Sequence, residues 1–234
     1  MKKQNTISNI FLILDKHFGW RGWWPSTPPG KFAPEYHLQK NYLFSIYELY
    51  EIMFGAILTQ NAAWTNVEKA LKNLIALKIF TPSDIIQADE TIVISAIKPS
   101  GYFNQKYKKL KFLSEFLINN PIEKLREKKV EELRQIFLNI WGIGRETADS
   151  IVLYAFDKPI FVVDAYTRRI LKRSGIIFGN EDYDYIRKLI EQNISPNVLI
   201  YKNYHAVIVE LCKEYCKTKP ICNNCPLSLL CKNV

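Results

Sequence analysis

The chain has 234 residues, 48% of them hydrophobic, with only 9 glycines and 11 prolines. That is enough apolar material for one large or two small cores, and too little glycine and proline for a low-complexity or collagen-like polymer. Against 23 Asp+Glu stand 32 Lys+Arg, a net charge of +9, which suits an anionic partner such as nucleic acid without requiring one. No internal run approaches the roughly 20 apolar residues of a membrane helix, so no membrane association is expected and the chain reads as a cytoplasmic protein.

The N-terminal stretch has two lysines and a short apolar run broken by Asn9, Asp15 and Lys16, with no small-residue cleavage site after it; it reads as a first helix and not a leader. Ser45-Ile-Tyr-Glu48 and Thr65-Asn-Val-Glu68 both fit the capping box, in which a hydroxyl and a carboxylate three residues later satisfy the free amides that open a helix. After the second box, Val67, Ala70, Leu71, Leu74 and Ile75 form one apolar stripe at helical period. Thr81-Pro82 opens another helix, with proline where its missing amide costs nothing. Further helices are expected near 106–118, 129–139, 146–156 and 165–174. Ile160-Phe161-Val162-Val163 is the best strand candidate, but it is short and apolar throughout, so a buried connector fits as well. The fold class expected is all-α.

All five cysteines fall between Cys212 and Cys231, where a disulfide framework would spread them out. Cys216, Cys222, Cys225 and Cys231 are separated by five, two and five residues, a spacing that lets four thiolates close on one centre. A zinc site usually brings two CxxC or CxxH pairs, and only Cys222–Cys225 is such a pair. Cys212 is an alternative first ligand at a wider gap, and otherwise a buried thiol on the preceding helix.

Ile140-Trp-Gly-Ile-Gly-Arg145 lies between two helical patterns and must be a tight turn. Gly142 and Gly144 permit positive φ and close backbone approach, and the helix that follows opens with amides suited to a phosphate. On its own the segment could equally be a helix–helix turn with Ile143 in the core. Gly142-Ile-Gly-Arg-Glu-Thr-Ala-Asp149 is followed, however, by Phe161-Val-Val-Asp164-Ala-Tyr-Thr-Arg-Arg169. Here the chain resembles the helix–hairpin–helix DNA glycosylase superfamily, in its endonuclease III branch. Leu58-Thr-Gln60-Asn61 looks like that family's Gln-bearing loop, Gly101-Tyr102-Phe-Asn-Gln-Lys106 like its GxYNxK loop, and the cysteines like its iron–sulfur segment, so the resemblance spans about residues 42 to 231.

The resemblance implies a role for each motif. Gly142, Gly144, Arg145 and Thr147 would grip the DNA backbone, while Gln60 and Tyr102 would enter the gap left by a flipped nucleotide. Cys216, Cys222, Cys225 and Cys231 would hold a 4Fe–4S cluster, although the family's usual first gap is one residue longer. Asp164 would be the catalytic carboxylate; its position before a helical run also suits an N-cap. Members that cut the backbone carry a lysine at the position of Glu146, whose amine forms a Schiff base with the sugar. Glutamate cannot, which implies a monofunctional enzyme using water.

Trp23, Trp24 and Trp64 look like the aromatic base pocket of the 3-methyladenine DNA glycosylase III type, which also has a glutamate at the position of Glu146. Core packing is the alternative for any one of them. Two departures from that type are the residue at its modified lysine, which maps near Val207, and the cysteine segment, which that type can lack. His17, His37 and His205 are scattered and suggest no histidine chemistry. Lys106, Lys108, Lys109 and Lys111 read as a solvated or phosphate-facing helix surface, and Lys213, Lys217, Lys219 and Lys232 as cations around the cluster segment.

Two domains are expected: 42–158, a six-helix domain with the hairpin, and 1–41 plus 159–234, which carries the cluster. The expected activity is hydrolysis of the N-glycosidic bond of a damaged base, an alkylated purine above all, in double-stranded DNA, by a monomer associated with the nucleoid while it acts. The rivals are an endonuclease III-like or mismatch uracil/thymine glycosylase with lyase activity, and a non-catalytic DNA-binding protein.

Overall fold

A computed structural model describes residues 3–231. It contains α1 (Lys3–Phe18), α2 (Ile46–Leu58), α3 (Trp64–Ala76), α4 (Pro82–Gln87), α5 (Glu90–Ile97), α6 (Phe103–Asn119), α7 (Ile122–Arg126), α8 (Val130–Leu138), α9 (Arg145–Tyr154), α10 (Ala165–Arg173), α11 (Tyr183–Glu191) and α12 (Val198–Glu214). No strand occurs among the described residues; one isolated bridge joins Ser26 and Glu35. None of these helices is long and apolar enough to cross a membrane.

The chain forms two compact units. The central one comprises Trp24–His37 and Asn41–Lys158; the terminal one runs through Trp23, takes in Leu38–Lys40 and resumes at Pro159. Residues Trp24–His37 therefore group with the central helices and not, as the sequence suggests, with the chain ends. Side-chain bonds to α2 are the physical reason. Glu48 is 1% exposed and accepts hydrogen bonds from Ser26 Oγ at 2.9 Å and Tyr42 OH at 2.8 Å, while Glu51 accepts from the amide and hydroxyl of Thr27.

Within the central unit, α2 starts where its capping box places it: Ser45 N donates to Glu48 Oε2 at 2.8 Å and Glu48 N to Ser45 Oγ at 3.4 Å. The second expected box does not form. Asn61, at φ 53°, turns the chain sharply, so that extended Ala63 becomes the N-cap of α3 with no side-chain cap, and Thr65 falls inside the first turn. The apolar stripe of α3 is buried as its period predicts. Thr81 and Pro82 open α4, with Asp84 completing a capping box. The unit has eight α-helices where six were expected, two of them, α4 and α7, of only 6 and 5 residues. Its last pair, α8 and α9, is pinned by a buried ion pair in which Arg134 Nε lies 2.6 Å from Asp149 Oδ1.

The terminal unit packs α1 and α10 against α12. Its segment Ile160–Val163 is buried and forms no strand. Side chains satisfy its amides instead of a ladder: Phe161 N donates to Glu191 Oε1 at 2.9 Å and Val163 N to Tyr183 OH at 3.2 Å.

Candidate active site

The two glycines of the turn between α8 and α9 differ in what they do. Gly142 has φ 84°, and a Cβ there would lie 2.4 Å from Lys109 Cγ. Gly144 is extended and caps α9 without a side chain; a Cβ would meet nothing within 4 Å, so the opening of α9 faces space that an anion can enter. Ile143 is buried, while Arg145 and Glu146 are exposed at the start of α9.

Gln60 is bound to this turn. Its Nε2 donates to Gly142 O at 3.1 Å and Thr147 Oγ1 at 3.0 Å, and its Oε1 accepts from Lys109 Nζ. Insertion into DNA would have to exchange these bonds. Tyr102 is presented openly: it is left-handed at φ 47°, caps α6 and is 67% exposed. Lys106 corrects the surface reading. It is buried, and its Nζ donates to Leu58 O at 2.8 Å and Ser100 O at 2.6 Å, placing its charge on the last carbonyl of α2 and on the turn that follows α5. Burial, helped by the charge of Lys109, lowers its pKa to about 8. Lys108 and Lys111 are exposed, and Lys109 is half-buried.

The tryptophans separate. Trp24 is only 4% exposed; its ring centroid lies 5.4 Å from Tyr154 and 5.7 Å, edge on, from Trp64, and it backs onto Gly55, where a Cβ would sit 3.2 Å from its Nε1. Trp24 is thus a core residue that supports the half-buried Trp64. Trp23 belongs to the terminal unit, with Lys213 Nζ 5.6 Å above its ring. Trp141 is exposed on the hairpin and packs on Phe112 of α6 at 5.4 Å.

Asp164 caps α10, accepting from Thr167 N at 2.7 Å. Its other oxygen, Oδ2, is 3.5 Å from Nε2 of His205 on α12, and its side chain is 13% exposed. Burial alone would raise the carboxyl; the His205 hydrogen bond and charge and the Thr167 amide outweigh it and hold Asp164 below the ordinary aspartate range. It is therefore ionised at neutral pH. His205 is the residue that sequence spacing misses, because only the packing of α10 on α12 brings it to Asp164.

In the terminal unit Cys216, Cys222, Cys225 and Cys231 line one cavity of about 20 Å³, closed by Arg173, Tyr215 and Ile221. Cys212 is not among its walls; it is buried on α12 and hydrogen-bonded to Cys216. That bond lowers the Cys216 thiol to about 6, burial opposing and Arg173 assisting. Arg173 Nη1 lies 2.9 Å from Cys216 Sγ and also holds Lys217 O, while Arg169 donates to Cys216 O. Burial pushes Cys225 and Cys231 up. Among the described residues no set of three His, Cys, Asp or Glu side chains is placed to hold a single metal ion. Lys213, Lys217 and Lys219 are exposed, and Lys232 lies outside the described residues.

Residues 54–196 match the model of the HhH-GPD superfamily of base excision DNA repair proteins. The chain belongs to that superfamily. It is 38% identical to a Methanocaldococcus jannaschii protein provisionally named a DNA repair glycosylase, over 98% of this chain and 97% of that one. It is 28% identical to endonuclease III of Sulfolobus acidocaldarius, over 86% and 92% of the two chains. Among solved structures, H. pylori 3-methyladenine DNA glycosylase bound to 1,N6-ethenoadenine superposes with a TM-score of 0.69 at 27% identity, covering 92% of this chain and 98% of that one. An endonuclease III–DNA complex superposes at 0.76 with 23% identity, over 99% and 96%, a likeness of fold. This HhH-GPD protein is a DNA glycosylase of the endonuclease III branch.

Proposed function

We propose that this glycosylase is a monofunctional enzyme that hydrolyses the N-glycosidic bond of alkylated purines in damaged duplex DNA and acts as a monomer. The observation that carries the reading is the environment of Asp164, a largely buried carboxylate kept ionised by Thr167 and His205. A fixed negative charge of this kind stabilises the cation that develops on the sugar as the base leaves, or orients the attacking water. Glu146, exposed in the first turn of α9, supplies no amine for a Schiff base, so water is the nucleophile. The half-buried Trp64 offers an indole face to a cationic base, which gains from the π-system what a neutral base does not. The likeness to a 3-methyladenine DNA glycosylase supports the same substrate class.

The donor set of four neighbouring cysteines suits a 4Fe–4S cluster. Four thiols surround one space and do not converge on a point, and Arg173 Nη1 is directed at Cys216 Sγ from 2.9 Å. A polynuclear cluster suits such a donor set better than one tetrahedral zinc ion. When bound, it would cross-link a loop that has little apolar core of its own. Anaerobically purified protein is expected to contain iron and sulfide in near-equal amounts; zinc without sulfide would exclude the cluster.

Single-turnover excision from matched duplexes tests the substrate. A 3-methyladenine duplex should be processed faster than one with uracil or thymine opposite guanine, the abasic product should stay uncut, and borohydride should trap no adduct. Faster uracil release, or efficient trapping, would replace this reading with a mismatch or lyase enzyme.

A further inference from the structure

The central unit contains a second feature that none of the hairpin, Gln60, Tyr102 or tryptophan positions touches: a cavity of about 760 Å³ between the 27–32 segment and helices α2 and α3. That volume lies in the range of small-molecule sites, roughly 300–1,000 Å³. Its floor is apolar and built from Phe54, Leu71, Leu74 and Ile75, all buried. Its mouth is aromatic: Phe32 is 81% exposed, Tyr47 54% and Phe80 37%, and Tyr47 and Phe80 meet edge to face at 6.0 Å. A phenylalanine this exposed at the rim of an apolar cavity is a surface that an occupant would cover.

Glu51 reaches into the cavity from α2. Its Oε1 and Oε2 accept the hydroxyl and amide of Thr27, each at 3.0 Å, and each oxygen keeps a second lone pair. The other charged groups around it are Glu48 on α2, Asp84 on α4, Lys31 on the loop and Lys78 after α3. Asp84 is turned to the amides of Phe80 and Thr81, and Lys31 pairs with Glu35 at 3.5 Å. Among the described residues no ion pair joins a cation to Glu51, whose hydrogen-bond donors are the neutral groups of Thr27.

We propose that this cavity is a binding site for a small organic cation, an amine on an apolar or aromatic body, whose ammonium pairs with Glu51 while its body lies against Phe32, Tyr47 and Phe80. Lys31 and Lys78, the lysines of the lining, are both exposed, so an anion inside the cavity would face the Glu51 carboxylate with no buried counter-charge, and a neutral ligand would bury Glu51 further without one. A cation gains both the carboxylate and the aromatic faces. Burial raises the Glu51 carboxyl to about 7 against the bonds from Thr27, with the charge of Glu48 adding to the rise. An alkylamine stays charged throughout this range, so its binding should strengthen as the pH rises and Glu51 ionises.

Calorimetric titration of the full chain with phenethylamine, phenethyl alcohol and phenylacetate tests this. At about pH 8 the amine should bind about tenfold more tightly than the alcohol, with phenylacetate weakest; lowering the pH to about 6 should remove roughly that factor. Glu51→Gln, which keeps an acceptor for Thr27, should bind amine and alcohol alike. If that variant fails to fold, Phe32→Ala, altered only at the exposed rim, should weaken amine binding about fivefold. Equal affinity of the wild type for amine and alcohol, no saturable amine binding, or an unchanged amine affinity in either folded variant would overturn the site.

Discussion

At the scale of single residues, Asp164 caps α10, and substitution can separate that role from the catalytic one proposed for it. Asparagine can still accept Thr167 N as an N-cap but cannot balance a sugar cation. Asp164→Asn should therefore retain its melting temperature within a few degrees and lose about 100-fold or more in single-turnover excision; an unchanged rate would leave capping as its whole role. Because its carboxyl is held below the usual aspartate range, ionised Asp164 stabilises the fold above about pH 4, and that contribution is lost as the pH falls through the lowered value. His205, 3.5 Å from Oδ2, is a positioning residue for this carboxylate. His205→Gln should reduce excision roughly tenfold at neutral pH and move the acid limb of the rate profile upward, as Asp164 returns toward its ordinary range. A structural role alone would lower stability without moving that limb. Asp164 was legible in the sequence because its neighbours on both sides, the VVD segment and the helical run after it, belong to one local pattern. His205 was not, since its partner is remote in the chain and the contact exists only through the packing of α10 on α12. The tryptophans show the opposite limit: residue type fitted a pocket, yet only burial distinguishes Trp24, a core ring, from the accessible Trp64.

At the scale of elements, the hairpin is the best-determined piece of the chain. Gly142 is required by its positive φ and by Lys109 across its face; Gln60 ties the turn to the loop after α2; and Arg134–Asp149 clamps the two helices. Side-chain exposure is 9% for Arg134 and 0% for Asp149, so Asp149→Ala would leave a buried guanidinium without its carboxylate. The expected cost is about 3–5 kcal/mol in urea unfolding, with weaker binding of undamaged duplex; a loss below about 1 kcal/mol would mean that the pair does not hold the motif. The clamp illustrates what short-range patterns convey. Ser45 and Thr81 open their helices as capping chemistry predicts, because the cap and its acceptor are local. Thr65 does not, because the left-handed turn at Asn61 decides where α3 begins. Ile160–Val163 stayed ambiguous between strand and connector for the same reason: the groups that satisfy its amides, Glu191 and Tyr183, lie about twenty to thirty residues away.

At the scale of the whole molecule, the surplus of basic residues becomes a statement about DNA only when particular cations are placed. On α6, Lys109 lies across Gly142 and Phe112 packs on Trp141, so that this face of the helix borders the hairpin. Lys108 and Lys111 are exposed on the adjacent stripe, three residues apart, and point outward on neighbouring turns. Lys106, which composition alone would count with them, is spent on backbone carbonyls and should contribute nothing to the phosphate contacts. The gross architecture was readable because helical period and the glycine-bearing turn recur locally; the grouping of Trp24–His37 with the central helices was not, since it depends on where Glu48 and Glu51 find their donors. The binding consequence is quantitative. Each phosphate neutralised by a lysine adds about 0.9 to the slope of log affinity against log salt. The Lys108→Gln, Lys111→Gln double variant should thus lower the slope for undamaged duplex by about 1.8, with the excision rate at saturating enzyme nearly unchanged, because the chemistry is proposed to rest on Asp164. Lys213→Gln and Lys219→Gln, measured in parallel, report whether cations near the cysteine segment share the load. A wild-type affinity insensitive to salt would show that the +9 charge has no part in binding, and an unchanged slope in the α6 variant would place the phosphate path away from that face of the hairpin.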